Sequence, residues 1–222
     1  MSALESLAYR RRDAAGEPRG ALVVCHGRGA DEHDLAPLLD ALDPERRLVG
    51  LLPRGPLSLP PGGAHWYVVR EVGFPDPATF SPTFETLSGW VDAALADAGV
   101  PIERTVFAGF SQGTVMSYSL AFAASRPRPA GVLAFSGFVP RVDGFELDLE
   151  GRAGLPVSIA HGTHDPIITV SFGRDARERL EAAGVDVAYV EEPMAHSIGP
   201  AGLAQAREVL ERSLGLDEQP DQ

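Results

Sequence analysis

A single α/β domain, built on a mostly parallel sheet with helices on both faces, is predicted by three observations. Short apolar runs alternate with helical patterns almost throughout the chain. Its 222 residues are within reach of one domain and long enough to bury a core without disulfides or metal. The hydrophobic content of 44% and charged content of 23% are those of a soluble globular protein.

The elements follow in order. Leu7-Ala8-Tyr9-Arg10 reads as an edge strand and Gly20 to Cys25 as the first strong strand. Leu35, Leu38, Leu39 and Leu42 recur at helical spacing, and Leu48 to Leu52 form a second buried strand. An irregular stretch from Pro53 to Ser81 follows, rich in Pro and Gly. Phe84, Leu87, Val91 and Leu95 then mark a helix that Gly99 closes with a left-handed cap. Thr105 to Ala108 is a short strand, and from Gln112 the residues Val115, Met116, Leu120 and Ala123 give a helical stripe. Strands are expected near 131–135, 156–160 and 185–190, with a helix carrying Phe172, Ala176 and Leu180 before the last of them. Pro200 opens the final helix, striped by Leu203, Leu210 and Leu214. No linker divides residues 1–222, and the polar tail 216–222 is expected to fray.

Composition excludes several classes of function. A formal charge of −12 argues against nucleic acid and anionic membranes as partners, and no apolar run approaches the 20 or so residues of a membrane helix. All 19 basic residues are arginine. The N-terminal Met1-Ser2-Ala3-Leu4-Glu5 lacks a basic region followed by an apolar core, and the single cysteine, Cys25, cannot form an internal disulfide. A cytoplasmic location is therefore expected, with Cys25 a core residue.

Gly109-Phe110-Ser111-Gln112-Gly113 carries the chemistry. It falls between a strand and a helix, where a sharp reversal lifts a serine hydroxyl clear of the sheet and neighbouring side chains would collide, so that glycine is needed on both sides. In a chain with 24 glycines the pattern alone is weak. A nucleophilic serine also needs a base, and a third group to fix the base's tautomer. Asp165 follows the apolar run 157–160, and His196 lies between the last strand and the last helix. That is the order serine, acid, histidine, each after a later strand. Two backbone N–H groups are expected to form the oxyanion hole: Gln112, next after the serine, and Arg28 in His26-Gly27-Arg28-Gly29. Their side chains are not required for this.

Competing motifs are poorer. Gly27-Arg28-Gly29 lacks the third glycine of a dinucleotide fingerprint, and no Gly-Lys-Ser/Thr pair exists for a phosphate loop. His161, His164 and Asp165, or Asp31 to Asp34, lack the regular spacing of zinc ligands. Neither metal nor cofactor is expected.

The blocks His26-Gly27-Arg28-Gly29-Ala30-Asp31, Gly109 to Gly113, His161-Gly162-Thr163-His164-Asp165-Pro166 and Ala195-His196-Ser197-Ile198 together resemble the phospholipase/carboxylesterase family. The family includes bacterial carboxylesterases and acyl-protein thioesterases. The resemblance implies an α/β hydrolase without a large cap domain, with catalytic roles for Ser111, Asp165 and His196. It implies carboxylic esters of short or medium acyl chain, hydrolysed through an acyl-enzyme, with thioesters or lysophospholipids as the alternative. An acyltransferase would share the acyl-enzyme, and a non-catalytic homologue would only hold a ligand in the pocket. A homodimer is compatible with the resemblance. Thr114 departs from it, since relatives often carry glycine there, and is expected to narrow the packing of the elbow helix. Substrate choice is expected in Pro53 to Ser81, with Trp66 and Phe74 in an acyl-binding lip, and Ile167, Ile168 and Ile198 lining the same pocket.

Overall fold

The structure, a computed structural model, describes residues 2–217. Seven strands form one sheet in the order β1-β3-β2-β8-β9-β10-β11: β1 (Tyr9–Arg12), β2 (Ala21–Cys25), β3 (Val49–Pro53), β8 (Thr105–Phe110), β9 (Gly131–Phe135), β10 (Pro156–Gly162) and β11 (Asp186–Glu192). Every neighbouring pair is parallel except β1 with β3: the N-terminal segment forms the edge strand expected of it, and that strand runs antiparallel. Between β3 and β8 lie two short hairpins, β4 (Leu57–Leu59) with β5 (Gly63–His65), and β6 (Val69–Glu71) with β7 (Phe74–Pro75).

Alternation along the strands divides the core into two layers, because successive side chains leave opposite faces of a sheet. Ala21, Val23, Cys25, Phe107 and Val132 pack against α2 (Pro77–Ala98), α3 (Gln112–Phe122) and α4 (Val170–Ala182). Leu22, Val24, Val106 and Leu133 pack against α1 (Ala36–Leu42) and α5 (Pro200–Leu214). Helix α3 is buried on every side, wedged between the sheet and its neighbours. Among the described residues no helix is long and apolar enough to cross a membrane.

Two departures from the sequence reading have clear causes. Helix α2 begins at Pro77, inside the stretch expected to be irregular, and runs straight through Pro82. A proline there removes the N–H that would reach Ala78 and normally disfavours helix. The offset is aromatic burial: Phe145 meets Phe80 and Phe84 edge-on, with ring centroids 5.0 and 4.7 Å away. At the other end Leu216, expected to fray, is 4% exposed in the α1/α5 layer, and its N–H donates to Glu211 O at 2.9 Å. Asp217 beside it is exposed, and 218–222 lie outside the described residues.

Parallel pairing in this register aligns the carboxyl ends of β2, β8, β9, β10 and β11, with Cys25 beside Gly109, Phe110 beside Phe135, and Gly162 beside Glu192. The loops after these strands emerge along one edge. Ser111, Asp165, His196 and Arg28 all lie in those loops.

Candidate active site

Ser111 follows β8 with φ 56° and ψ −119°, a conformation that costs a residue with a Cβ about 1–3 kcal/mol. The turn is held from several sides. Its N–H donates to Phe135 O at 2.9 Å, and its carbonyl accepts from Thr114 N–H at 3.0 Å. A Cβ at Gly109 would strike the Gly113 backbone, and one at Gly113 would strike the Cys25 carbonyl, so both flanking glycines are sterically required. Thr114 does more than narrow the packing. Its hydroxyl lies 2.6 Å from Gly109 O and 2.7 Å from Phe135 O and accepts from Phe135 N–H at 3.2 Å, pinning the start of α3 to β8 and β9.

Asp165 and His196 meet. His196 Nδ1 is 2.6 Å from Asp165 Oδ2, while Asp165 Oδ1 accepts the N–H groups of Ile167 at 2.8 Å and Ile168 at 2.9 Å. Because a carboxylate accepts, Nδ1 carries the hydrogen and Nε2 of the neutral ring is left as the basic nitrogen. The imidazole packs on Phe110, the residue before Ser111, with ring centroids 4.7 Å apart. The Ser111 hydroxyl makes no hydrogen bond to another described residue and borders a cavity of about 350 Å³.

The loop carrying His196 is tied at both ends. Glu192, at the end of β11, accepts the N–H groups of Ala201 at 3.0 Å and Gly202 at 2.9 Å, capping α5 where a carboxylate suits the helix dipole. Its carbonyl accepts from Thr163 and Met194, and Met194 O accepts from His164, joining this loop to the one with Asp165. Ser136 Oγ donates to Ser197 O at 3.3 Å.

His161 is buried beneath Asp165. Its Nε2–H donates to Ile168 O at 2.7 Å and lies 3.6 Å from Asp165 Oδ2, while its buried Nδ1 has no partner among the described residues. Burial lowers the pKa of this imidazole below that of a free one. A neutral His161 therefore closes the 165–168 turn without drawing charge from Asp165.

On the other side of Ser111, the Arg28 N–H is free of partners among the described residues, and the Gln112 N–H opens α3, where a helix leaves its donors unsatisfied. The loop around Arg28 is braced. His26 Nδ1–H donates to Gly27 O at 2.7 Å and Nε2 accepts from Gly55 N–H at 2.9 Å, a neutral arrangement that agrees with a pKa lowered by burial. The Gln112 side chain accepts from Trp66 N–H and donates to Tyr67 O, both at 2.8 Å.

This bracing corrects the expected lip. Trp66 is wholly buried, its indole N–H donating to His26 O at 2.8 Å, and it does not line the cavity beside Ser111. Phe74 is 49% exposed and borders a neighbouring cavity instead. Ile198 packs into the α1/α5 layer. Ile167 and Ile168 do line the cavity, together with Tyr67, Val69 and Val72 from the stretch in which substrate choice is expected, and with Phe138, which lies outside that stretch. Among the described residues no group of three or more His, Cys, Asp or Glu side chains is placed to hold a metal, and Glu32 is paired with Arg54 at 3.0 Å.

Known proteins share this fold. A family model described as phospholipase/carboxylesterase matches residues 12–214. Acyl-protein thioesterase 1 of Debaryomyces hansenii is 25% identical over 92% of this chain and 95% of its own length. The putative hydrolase MhqD of Bacillus subtilis is 26% identical over 87% of this chain and 93% of its own. The crystal structure of the Bacillus cereus carboxylesterase superposes with a TM-score of 0.79 at 25% identity, covering 93% of this chain and 94% of that one. With its α/β hydrolase fold and a family match over nearly its whole length, the chain belongs to the phospholipase/carboxylesterase family of hydrolases.

Proposed function

We propose that the protein is a serine carboxylic-ester hydrolase that acts through an acyl-enzyme. The observation that carries this reading is the His196–Asp165 contact of 2.6 Å in the loops beside a strained, cavity-facing Ser111. In this reading His196 Nε2 takes the Ser111 proton as Oγ attacks the ester carbonyl, and Asp165 holds the ring and stabilises the imidazolium. The tetrahedral oxyanion is met by the Arg28 and Gln112 N–H groups. The alcohol leaves with the proton from His196, and water then repeats the sequence to release the acid.

A panel of p-nitrophenyl esters of graded acyl length, with matched thioesters, tests the reading. It is joined by an organophosphonate that should label the protein one to one at the peptide containing Ser111. Turnover with labelling elsewhere, or neither turnover nor labelling, overturns it. Thioester turnover well above that of the matched esters would favour the second reading, a thioesterase, which the Debaryomyces hansenii relative supports.

The oxyanion assignment makes its own prediction. Arg28→Ala keeps the main-chain donor and should lower kcat less than tenfold. Arg28→Pro deletes that N–H and should lower kcat by about 10²–10³-fold. Equal losses in the two variants would place the contribution in the guanidinium.

A further inference from the structure

Two cavities meet at Phe138. The first, of about 350 Å³, runs from Ser111 past Tyr67, Val72 and Ile168 to Phe138. The second, of about 280 Å³, starts from the same residue and continues along Phe74, Val139 and Phe172 to the exposed Arg141–Asp175 ion pair at 2.9 Å. Phe138 is buried, and its ring lies 5.4 Å from that of Phe172. The hairpin β6–β7 spans both spaces, with Val69 over the first and Gly73 and Phe74 over the second. It is packed down hard on α4. Gly73 has φ 95°, and a Cβ there would come within 2.7 Å of Phe172 Cε1.

The direction of the first cavity identifies what would enter it. In the mechanism proposed above, the departing alcohol oxygen must lie within reach of His196 Nε2, and the carbonyl oxygen must point at the Arg28 and Gln112 N–H groups. Neither His196 nor Phe110 lines the first cavity, whose walls lie toward Tyr67 and Phe138. The acyl chain, not the alcohol, is therefore the part that extends into it.

We propose that the two cavities are one acyl subsite divided by the Phe138 ring, which sets the upper limit of acyl length, the second cavity taking the methyl end of a longer unbranched chain. The proposal rests on the hydrolase reading and deepens it. Each methylene that gains a buried position should raise kcat/KM about fourfold.

The test is kcat/KM across p-nitrophenyl acyl esters from acetate to palmitate, and across acetate esters of graded alkanols, for wild type, Phe138→Leu and Phe138→Ala. In the wild type the acyl series should rise and then level off at medium length. In Phe138→Ala the rise should continue for two or more further carbons, moving the long-to-short ratio at least tenfold. Phe138→Leu, which keeps an apolar side chain in place and protects the fold, should fall between. Adding Ser171→Trp, at an exposed position on the rim of the second cavity, should reverse the gain of Phe138→Ala. Acyl profiles that superimpose after scaling, or a shift confined to the alkanol series, overturn the proposal while leaving the hydrolase reading standing. Absence of turnover for every ester, acetate included, overturns both.

Discussion

Ser111→Ala is expected to lower kcat toward p-nitrophenyl esters by about 10⁶-fold, equivalent to about 8 kcal/mol, while leaving thermal unfolding close to that of the wild type. The two halves of this result have separate causes. The Ser111 hydroxyl has no partner among the described residues, so its removal breaks no hydrogen bond, and alanine keeps the Cβ that already tolerates φ 56°. The backbone bonds to Phe135 O and from Thr114 N–H are untouched by the change. What disappears is the atom that forms the acyl-enzyme. Ser111→Gly should be equally inactive but more stable than Ser111→Ala, because glycine relieves a conformation costing about 1–3 kcal/mol. A thermal melt beside a burst-phase assay reads both effects. A kcat within tenfold of the wild type in Ser111→Ala would remove the serine from the mechanism.

The candidate catalytic residues were legible as a set because the proposed chemistry constrains their identity and chain order. Ser111, Asp165 and His196 stand at the ends of three apolar runs, and the strand ends they follow are brought to one edge by parallel pairing. The Arg28 loop was readable for a related reason, since glycine marks a close approach of backbone to backbone. The pocket was legible only in part: Ile167 and Ile168 line it as expected, but its other walls are chosen by packing. Trp66 looked like a substrate contact as an aromatic in a proline- and glycine-rich stretch, yet its N–H groups reach His26 O and the Gln112 side chain. Nothing local in the sequence says that a buried polar network will claim it. Phe138 lies three residues past the end of β9, where no periodicity marks it, and its place in the cavity wall, against Phe172 of α4, is set by tertiary packing. The start of α2 was hidden by Pro82, a local signal that the distant Phe145 overrides. Ser136, through one bond to Ser197 O, and Glu192, whose carboxylate accepts two N–H groups of α5, tether the ends of the His196 loop by contacts that spacing cannot show.

Asp165→Asn is expected to lower kcat by about 10⁴-fold with only a modest loss of stability, and the geometry dictates why. An asparagine has one acceptor and one donor end, and its surroundings choose which faces where. The N–H groups of Ile167 and Ile168 both point at Oδ1, so the amide oxygen must take that side. The NH₂ group is then forced onto the side of His196 Nδ1, 2.6 Å away in the wild type. Two N–H groups cannot face each other, so the imidazole gives up its Nδ1 hydrogen and carries it on Nε2, the nitrogen that must accept the Ser111 proton. The same NH₂ also points toward His161 Nε2–H, 3.6 Å from Oδ2 in the wild type, which opposes the new arrangement from below. The variant should fold, should keep its affinity for a non-hydrolysable substrate analogue, and should fail at proton transfer. Raising the pH should recover part of the rate, as hydroxide substitutes for the missing base. Asp165→Ala, which leaves the two backbone donors unsatisfied, should lose more stability than Asp165→Asn, by about 1–3 kcal/mol. Near-wild-type kcat in Asp165→Asn, with the fold confirmed by its melt, would show that the carboxylate does not set the tautomer of His196.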